Sequence, residues 1–180
     1  MKELRYASRA SGRPFAFTEA ESREIDALLR RYPTKRAALL PVLWIVQERM
    51  RWVPAEAVAE VARVLELSEA YIDGVLTFYT MYSLHPIGRY DLQFCTSISC
   101  HLNGAEGLLE HCEKKLGIGV GQTTPDGNFT ITEVECIAGC DRAPSMQVND
   151  AYHEPMTAEK LDELLERLSR QAPGAEEQKA

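Results

Sequence analysis

The chain has 180 residues and a formal net charge of -7 at pH 7, with 45% hydrophobic and 26% charged residues. This composition supports a packed core in one domain or two small ones. The negative charge argues against a nucleic-acid-binding protein, because phosphate affinity comes from clustered Lys and Arg. No apolar run approaches the roughly 20 residues of a membrane-spanning helix, so direct membrane insertion is not expected.

Both ends of the chain are predicted to be tails. Residues 1–17 carry basic residues among small ones, as transit peptides do, but Glu3 and the short length favour a plain flexible tail. Residues 170–180 are polar and are predicted to be disordered. The five cysteines occur without a secretory segment, which favours metal or redox chemistry in a reducing compartment over a disulfide framework.

Residues 18–77 are predicted to form a bundle of four amphipathic helices joined by short links. Each helix has a start or stop signal: the Thr18–Glu21 capping box, Pro41, Pro54 and Ser68. Pro41 lies inside the second helix, which is predicted from about residue 35 to 50, and indicates a kink or a late start.

Residues 78–169 are predicted to form an α/β domain. An aromatic stretch, Phe78 to Tyr82, is expected to pack between the bundle and the sheet. The elements that follow are a strand over 90–95, a helix over about 103–116, a strand near 129–134, a hairpin over 145–153 and a helix capped by Thr157. This β-α-β-β-α order is typical of an α/β sandwich with a small mixed sheet.

Four cysteines form two pairs. Cys95 and Cys100 make a C-x4-C pair after the first strand, and Cys136 and Cys140 make a C-x3-C pair after the second. Both pairs lie where a strand gives way to a loop. Ligand cysteines need such loops, because their thiolates must converge while backbone N–H groups turn toward the sulfurs.

Four thiolates fit either a tetrahedral zinc site or a two-iron, two-sulfur (2Fe-2S) cluster. Zinc sites usually use C-x2-C pairs, so the wider spacings here favour the cluster, with a zinc-stabilised module as the alternative. A Rieske centre would need histidines in place of one cysteine pair, and a thioredoxin-like dithiol would need C-x-x-C; neither pattern is present. Cys112 is predicted to be a buried core thiol. His101, beside Cys100, is a candidate for coupling reduction to proton uptake.

The strings around the cysteines resemble the E-type 2Fe-2S subunit of NADH-quinone oxidoreductase (respiratory complex I). These strings are Cys95-Thr-Ser-Ile-Ser-Cys100 and Glu135-Cys136-Ile-Ala-Gly-Cys140-Asp-Arg-Ala-Pro144. The resemblance extends to Pro41-Val-Leu, Trp52-Val-Pro, Thr77-Phe-Tyr and Gly88-Arg-Tyr. It covers approximately residues 20–168, and all four ligand positions of that family are present.

The resemblance implies a fold and a ligand set. The fold is an N-terminal helical bundle followed by a thioredoxin-like 2Fe-2S ferredoxin domain. Cys95 and Cys100 would bind one iron of a single cluster, and Cys136 and Cys140 the other.

It also implies a role in electron transfer. The cluster would exchange electrons with the flavin (FMN) of a partner subunit that binds and oxidises NADH. The chain would supply no catalytic residue and would not be competent alone. It would lie in the peripheral arm of a membrane-bound complex, on the cytoplasmic side. Similar subunits serve NAD-linked hydrogenases and NAD-dependent formate dehydrogenases, so the parent complex stays open.

Overall fold

The computed structural model describes residues 9–171, which divide between Pro86 and Ile87 into two compact units. The first unit is helical and the second contains the sheet. The aromatic stretch after residue 77, which we assigned to the second domain, belongs to the first unit. No helix within residues 9–171 is long and apolar enough to cross a membrane.

The first unit contains the four predicted helices. They are α1 (Glu19–Arg31), α2 (Leu39–Met50), α3 (Ala55–Leu65) and α4 (Glu69–Phe78). The capping box of Thr18 and Glu21 is formed at α1, and the Ser68 side chain accepts a hydrogen bond at the start of α4. Pro41 is the third residue of α2, where its missing N–H has no intrahelical partner to lose, so the late start is confirmed. Apolar side chains from all four helices form the core.

The segment before α1 contacts the bundle. Arg9 pairs with Asp73 at 2.6 Å, and the guanidinium of Arg49 lies 4.1 Å from the ring centre of Phe15. Phe15 and Phe17 both pack against the core. Residues 9–17 are thus held in place, unlike the flexible tail that we expected for residues 1–17, while residues 1–8 lie outside the described residues.

The aromatic stretch after α4 is mostly exposed, and its packing between the bundle and the sheet stays a prediction. Phe78 is 76% exposed, Met81 is also exposed, and only Tyr82 is buried. The inward positions of α4 are Ile72 and Leu76, one turn apart. Successive helical residues are rotated by about 100°, so Phe78, two residues beyond Leu76, points away from the core.

The second unit is built on a mixed four-stranded sheet in the order β2-β1-β3-β4. The strands are β1 (Tyr90–Cys95), β2 (Phe129–Val134), β3 (Met146–Val148) and β4 (Ala151–His153). β1 is parallel to β2 and antiparallel to β3. The predicted fold class is therefore confirmed, since a helical bundle is followed by an α/β unit with a small mixed sheet.

Three helices complete the second unit: α5 (Ile98–Leu102), α6 (Ala105–Leu116) and α7 (Ala158–Arg170). α6 and α7 contribute Leu108, Cys112 and Leu161 to a core with Phe94 and Ile131 of the sheet. We predicted α6 and α7 but not α5, which passes through the first cysteine pair where we expected a loop. α7 ends at Arg170, and residues 172–180 of the predicted C-terminal tail lie outside the described residues.

Candidate metal centre

The strand directions bring both cysteine pairs to one edge of the sheet. Cys95 is the last residue of β1 and lies opposite Val134, the last residue of the parallel strand β2. Cys136 follows two residues later. The chain then returns to the sheet at Met146, which pairs with Phe94 of β1. The loop that holds the second pair therefore begins and ends beside the first pair, a closeness that sequence spacing alone could not give.

Within this edge each cysteine pair is compact. The sulfurs of Cys136 and Cys140 lie 3.9 Å apart, and both residues are exposed. Cys95 and Cys100 are buried and form a small cluster with Ala105, against which Ile137 and Ala143 of the second loop pack. The two loops are thus in contact, and the five cysteines of the chain are all free thiols.

Backbone N–H groups point at the sulfurs of the first pair. Burial disfavours the Cys95 thiolate, but hydrogen bonds from the N–H groups of Ser97 and Ile137, together with those from the side chains of Cys100 and Ser97, outweigh it and lower the pKa of Cys95. Burial raises the pKa of Cys100, and the neighbouring Cys95 charge adds to this, although the N–H of Ser145 opposes it. Ile137 and Ser145 belong to the second loop, so this loop helps to stabilise thiolate charge in the first pair.

The second pair has its own N–H donor. Ala138 adopts a left-handed conformation, with φ of 65°, and its N–H lies 3.4 Å from the Cys136 sulfur. That conformation costs an L-residue about 1–2 kcal/mol. Strained residues of this kind concentrate at functional sites, where the surrounding structure holds them in place. Sequence reasoning did not identify Ala138, because nothing in its side chain marks the conformation.

This donor set fits a 2Fe-2S cluster. In such a cluster each iron takes two thiolates and shares two sulfides, so the protein need not place three ligands around one metal ion. The part of the chain that the structure describes has no group of three or more Cys, His, Asp or Glu side chains placed to hold one metal ion. Four free thiols in two pairs, with N–H donors to offset their charge, match what the cluster needs.

The other two residues considered from the sequence lie outside this set. Cys112 is fully buried in the sheet-side core, and burial raises the pKa of its thiol to about 12. This agrees with the predicted core thiol. His101 is half exposed, and its Nδ1 lies 3.2 Å from Oε1 of Glu106 on α6.

Gly139 fills the tightest point of the second loop. A Cβ there would overlap Ser145 Oγ and the Glu154 carboxylate, and would lie 2.9 Å from Ser145 Cβ. Overpacking of this kind typically costs about 1–3 kcal/mol. We expect Gly139→Ala to displace the loop and lower the cluster content of the purified protein, measured as iron and acid-labile sulfide per chain.

The matched control for that substitution is Gly107→Ala. Gly107 lies in α6 with nothing within 4 Å of the added Cβ. Alanine in a helix is more favourable than glycine by about 0.5–1 kcal/mol, so this variant should be at least as stable as the parent and keep its cluster. Equal cluster content in both variants would show that the space at Gly139 is not critical.

A thioredoxin-like sheet with two cysteine pairs at one edge defines a ferredoxin of the thioredoxin-like class. The sequence agrees with this class. Residues 25–169 match the family described as thioredoxin-like 2Fe-2S ferredoxin, and the chain belongs to that family.

The chain is also similar in sequence to individual members of this family. These similarities confirm the resemblance found in the cysteine strings. The chain is 46% identical over 143 residues to an E-type subunit (E 2) of the NADH-quinone oxidoreductase of Rhizobium meliloti, covering 79% of this chain and 85% of the relative. It is 39% identical over 153 residues to the E-type subunit of the NADH-quinone oxidoreductase of Escherichia coli K12, covering 85% and 92%.

A solved structure is also similar. A chain of the NAD+-reducing NiFe-hydrogenase in its H2-reduced state matches with a TM-score of 0.67 and 26% sequence identity. The match covers 75% of this chain but only 22% of the hydrogenase chain. The shared part is therefore one portion of a longer protein.

Proposed function

We propose that Cys95, Cys100, Cys136 and Cys140 hold one 2Fe-2S cluster, with the first two on one iron and the last two on the other. The observation that carries this proposal is the meeting of both pairs at one sheet edge, with N–H donors from both loops on the sulfurs. When bound, such a cluster accepts and returns one electron at a time. The chain's own part is to hold the thiolates and offset their charge.

We further propose that the chain is an electron-transfer subunit of an NADH-quinone oxidoreductase. Its partner would be the subunit that binds FMN and NADH, and the electron exchange would run between that flavin and this chain. Hydride transfer needs a cofactor suited to it, which would lie on the partner, so the chain alone should not oxidise NADH. The assembly would lie in the peripheral arm of the membrane-bound complex, on its cytoplasmic side.

The first experiment is spectroscopic. Anaerobically purified protein should be brown, bleach on addition of dithionite and then give a low-temperature EPR signal of a spin-half centre. Chemical analysis should find two irons and two sulfides per chain, as the cluster type requires. A colourless, EPR-silent protein that retains zinc, and that still fails to take up iron and sulfide on reconstitution, would instead favour a structural zinc module.

The parent complex has a second candidate, because the structural match is to an NAD+-reducing hydrogenase. The quinone-linked complex is favoured by the higher identity and coverage of the relatives from NADH-quinone oxidoreductases. Purification of the tagged chain from its native cells separates the two. Co-purification of quinone-reducing activity supports the first, and hydrogen-dependent NAD+ reduction supports the second.

A further inference from the structure

A tyrosine on the edge strand β4 contacts the second cysteine loop from outside. The hydroxyl of Tyr152 donates a hydrogen bond to the carbonyl oxygen of Ile137 at 2.7 Å. Tyr152 is the middle residue of β4, and Ile137 is the residue that follows Cys136. Because Tyr152 is 52% exposed, water would satisfy its hydroxyl equally well, so burial does not explain this bond.

The peptide group that accepts this bond also donates one to a proposed ligand. The carbonyl of Ile137 and the N–H of Ala138 belong to the same planar peptide unit. That N–H donates to the Cys136 sulfur, with 3.4 Å between nitrogen and sulfur. Two hydrogen bonds therefore connect the Tyr152 hydroxyl to the sulfur in series. Each bond in such a series polarises the next, which strengthens it by on the order of 10–30%.

Ile137 is also linked to the first cysteine pair. Its own N–H donates to the Cys95 sulfur, and its side chain packs against the small cluster of Cys95, Cys100 and Ala105. The two peptide groups that flank Ile137 thus supply N–H donors to one sulfur of each pair. A side chain that fixes the Ile137 carbonyl therefore helps to orient donors for both pairs.

We infer that Tyr152 is a positioning residue for the cluster and that its hydroxyl raises the reduction potential of the cluster. This inference rests on the proposed function. Reduction adds one electron, and hence one negative charge, to the cluster, and part of that charge resides on the thiolate sulfurs. A hydrogen bond to a sulfur is stronger when the sulfur is more negative, so it favours the reduced state. Tyr152 acts on Cys136 through the peptide between Ile137 and Ala138.

The test compares Tyr152→Phe with Tyr90→Phe in the full chain. Each variant loses one hydroxyl from the second unit, but Tyr90 donates to Gln171, at 2.8 Å, from the end of β1 opposite Cys95. Iron and acid-labile sulfide are measured first, and the reduction potential is then measured by EPR-monitored titration with dithionite as the electron donor. Tyr152→Phe should lower the equilibrium constant for reduction about two- to fivefold, which is a fall of about 20–40 mV for one electron. Tyr90→Phe should match the parent.

A second variant strengthens the hydrogen bond and keeps the hydroxyl. A tyrosine fluorinated next to the hydroxyl is a stronger donor, because fluorine withdraws electrons from the ring. At position 152, and at a pH where the phenol stays protonated, it should raise the reduction potential. Shifts of opposite sign in the two variants separate the hydrogen bond from a general loosening of the loop. The loop has a second support in Ser145, whose hydroxyl donates to the Gly139 carbonyl at 2.7 Å, so both variants should keep the cluster.

Three outcomes would overturn the role of Tyr152 while leaving the cluster assignment intact. One is a Tyr152→Phe variant that has full cluster content and the reduction potential of the parent. Another is an equal shift of the potential in Tyr90→Phe. A third is a fluorinated variant whose potential is unchanged or lower, and this result decides the matter if Tyr152→Phe loses its cluster. A parent chain that takes up no iron and sulfide on reconstitution would instead count against the proposed function itself.

Discussion

Cys136→Ala is expected to abolish the 2Fe-2S cluster or reduce it to a small residual fraction. The iron that this pair would hold would lose one of its two thiolates. Cys140, whose sulfur lies 3.9 Å from that of Cys136, cannot supply the missing ligand and also remain the second ligand. Cys136 is exposed, so in the cluster-free chain the substitution should change the free energy of unfolding by only about 0.5 kcal/mol; any further loss of stability comes from the loss of the cluster itself. Loss of cluster in a folded protein is therefore the expected result. Iron and sulfide analysis and dithionite-reduced EPR measure it, and circular dichroism checks the fold.

Cys112→Ala is the matched control for that result. It also replaces a cysteine thiol with a methyl group, but at a position in the core between the sheet and its helices, away from the two cysteine loops. Because Cys112 is fully buried, the change should destabilise the protein by about 1–2 kcal/mol and leave the cluster in place. The two variants therefore separate stability from ligation. Full cluster content in Cys136→Ala, or loss of the cluster in Cys112→Ala alone, would contradict the ligand assignment.

The cysteine pairs could be found in the sequence because their signal is local. Spacing and nearby loop residues were enough to propose Cys95, Cys100, Cys136 and Cys140. The way in which the pairs meet could not be read in this way. It depends on β1 being parallel to β2 and antiparallel to β3, and strand pairing is set by contacts between distant parts of the chain.

The helices show the same division between local and distant causes. α1 and α7 were predicted because a capping residue precedes a regular apolar stripe in each. α5 was missed because it has five residues, too few for a periodic pattern. Its Ile98 and Leu102 are also exposed, the reverse of what an apolar pair at helical spacing usually indicates.

The second cysteine loop contains two further features that only the folded chain reveals. The requirement for Gly139 comes from Ser145 and Glu154, which approach it from beyond the loop. Ala138 is held in a left-handed conformation that its residue type does not favour. Local sequence preference and the observed backbone disagree here, as is expected where the surroundings determine the geometry of a site.

Phe94→Ala is expected to give the largest loss of stability among these variants. Phe94 is 1% exposed and fills the core of the second unit from β1. Truncation of a buried Phe to Ala costs about 3–5 kcal/mol, a large part of the roughly 5–15 kcal/mol that stabilises a typical protein. Each kcal/mol lowers the midpoint of thermal unfolding by about 2–4 °C for a chain of this size, so a fall of roughly 10 °C is expected.

The position of Phe94 couples that loss to the metal site. The next residue is Cys95, and Phe94 pairs with Met146 at the point where the second cysteine loop rejoins the sheet. The variant should therefore release its cluster faster on warming. This release is measured as the loss of visible absorption. Unfolding with a bound cluster is not two-state, so parent and variants must be compared at one heating rate.

Phe78→Ala is the same chemical change at an exposed position. Phe78 is 76% exposed and touches Tyr79 by its ring edge, so its removal should cost at most about 1 kcal/mol and leave the rate of cluster release unchanged. Equal falls in midpoint for the two variants would mean that burial of Phe94 does not support the second unit. If the midpoint falls strongly for Phe94→Ala but the cluster is not released faster, then the cysteine loops are stabilised mainly by their own contacts. These are above all the contacts of Gly139, Ser145 and Glu154.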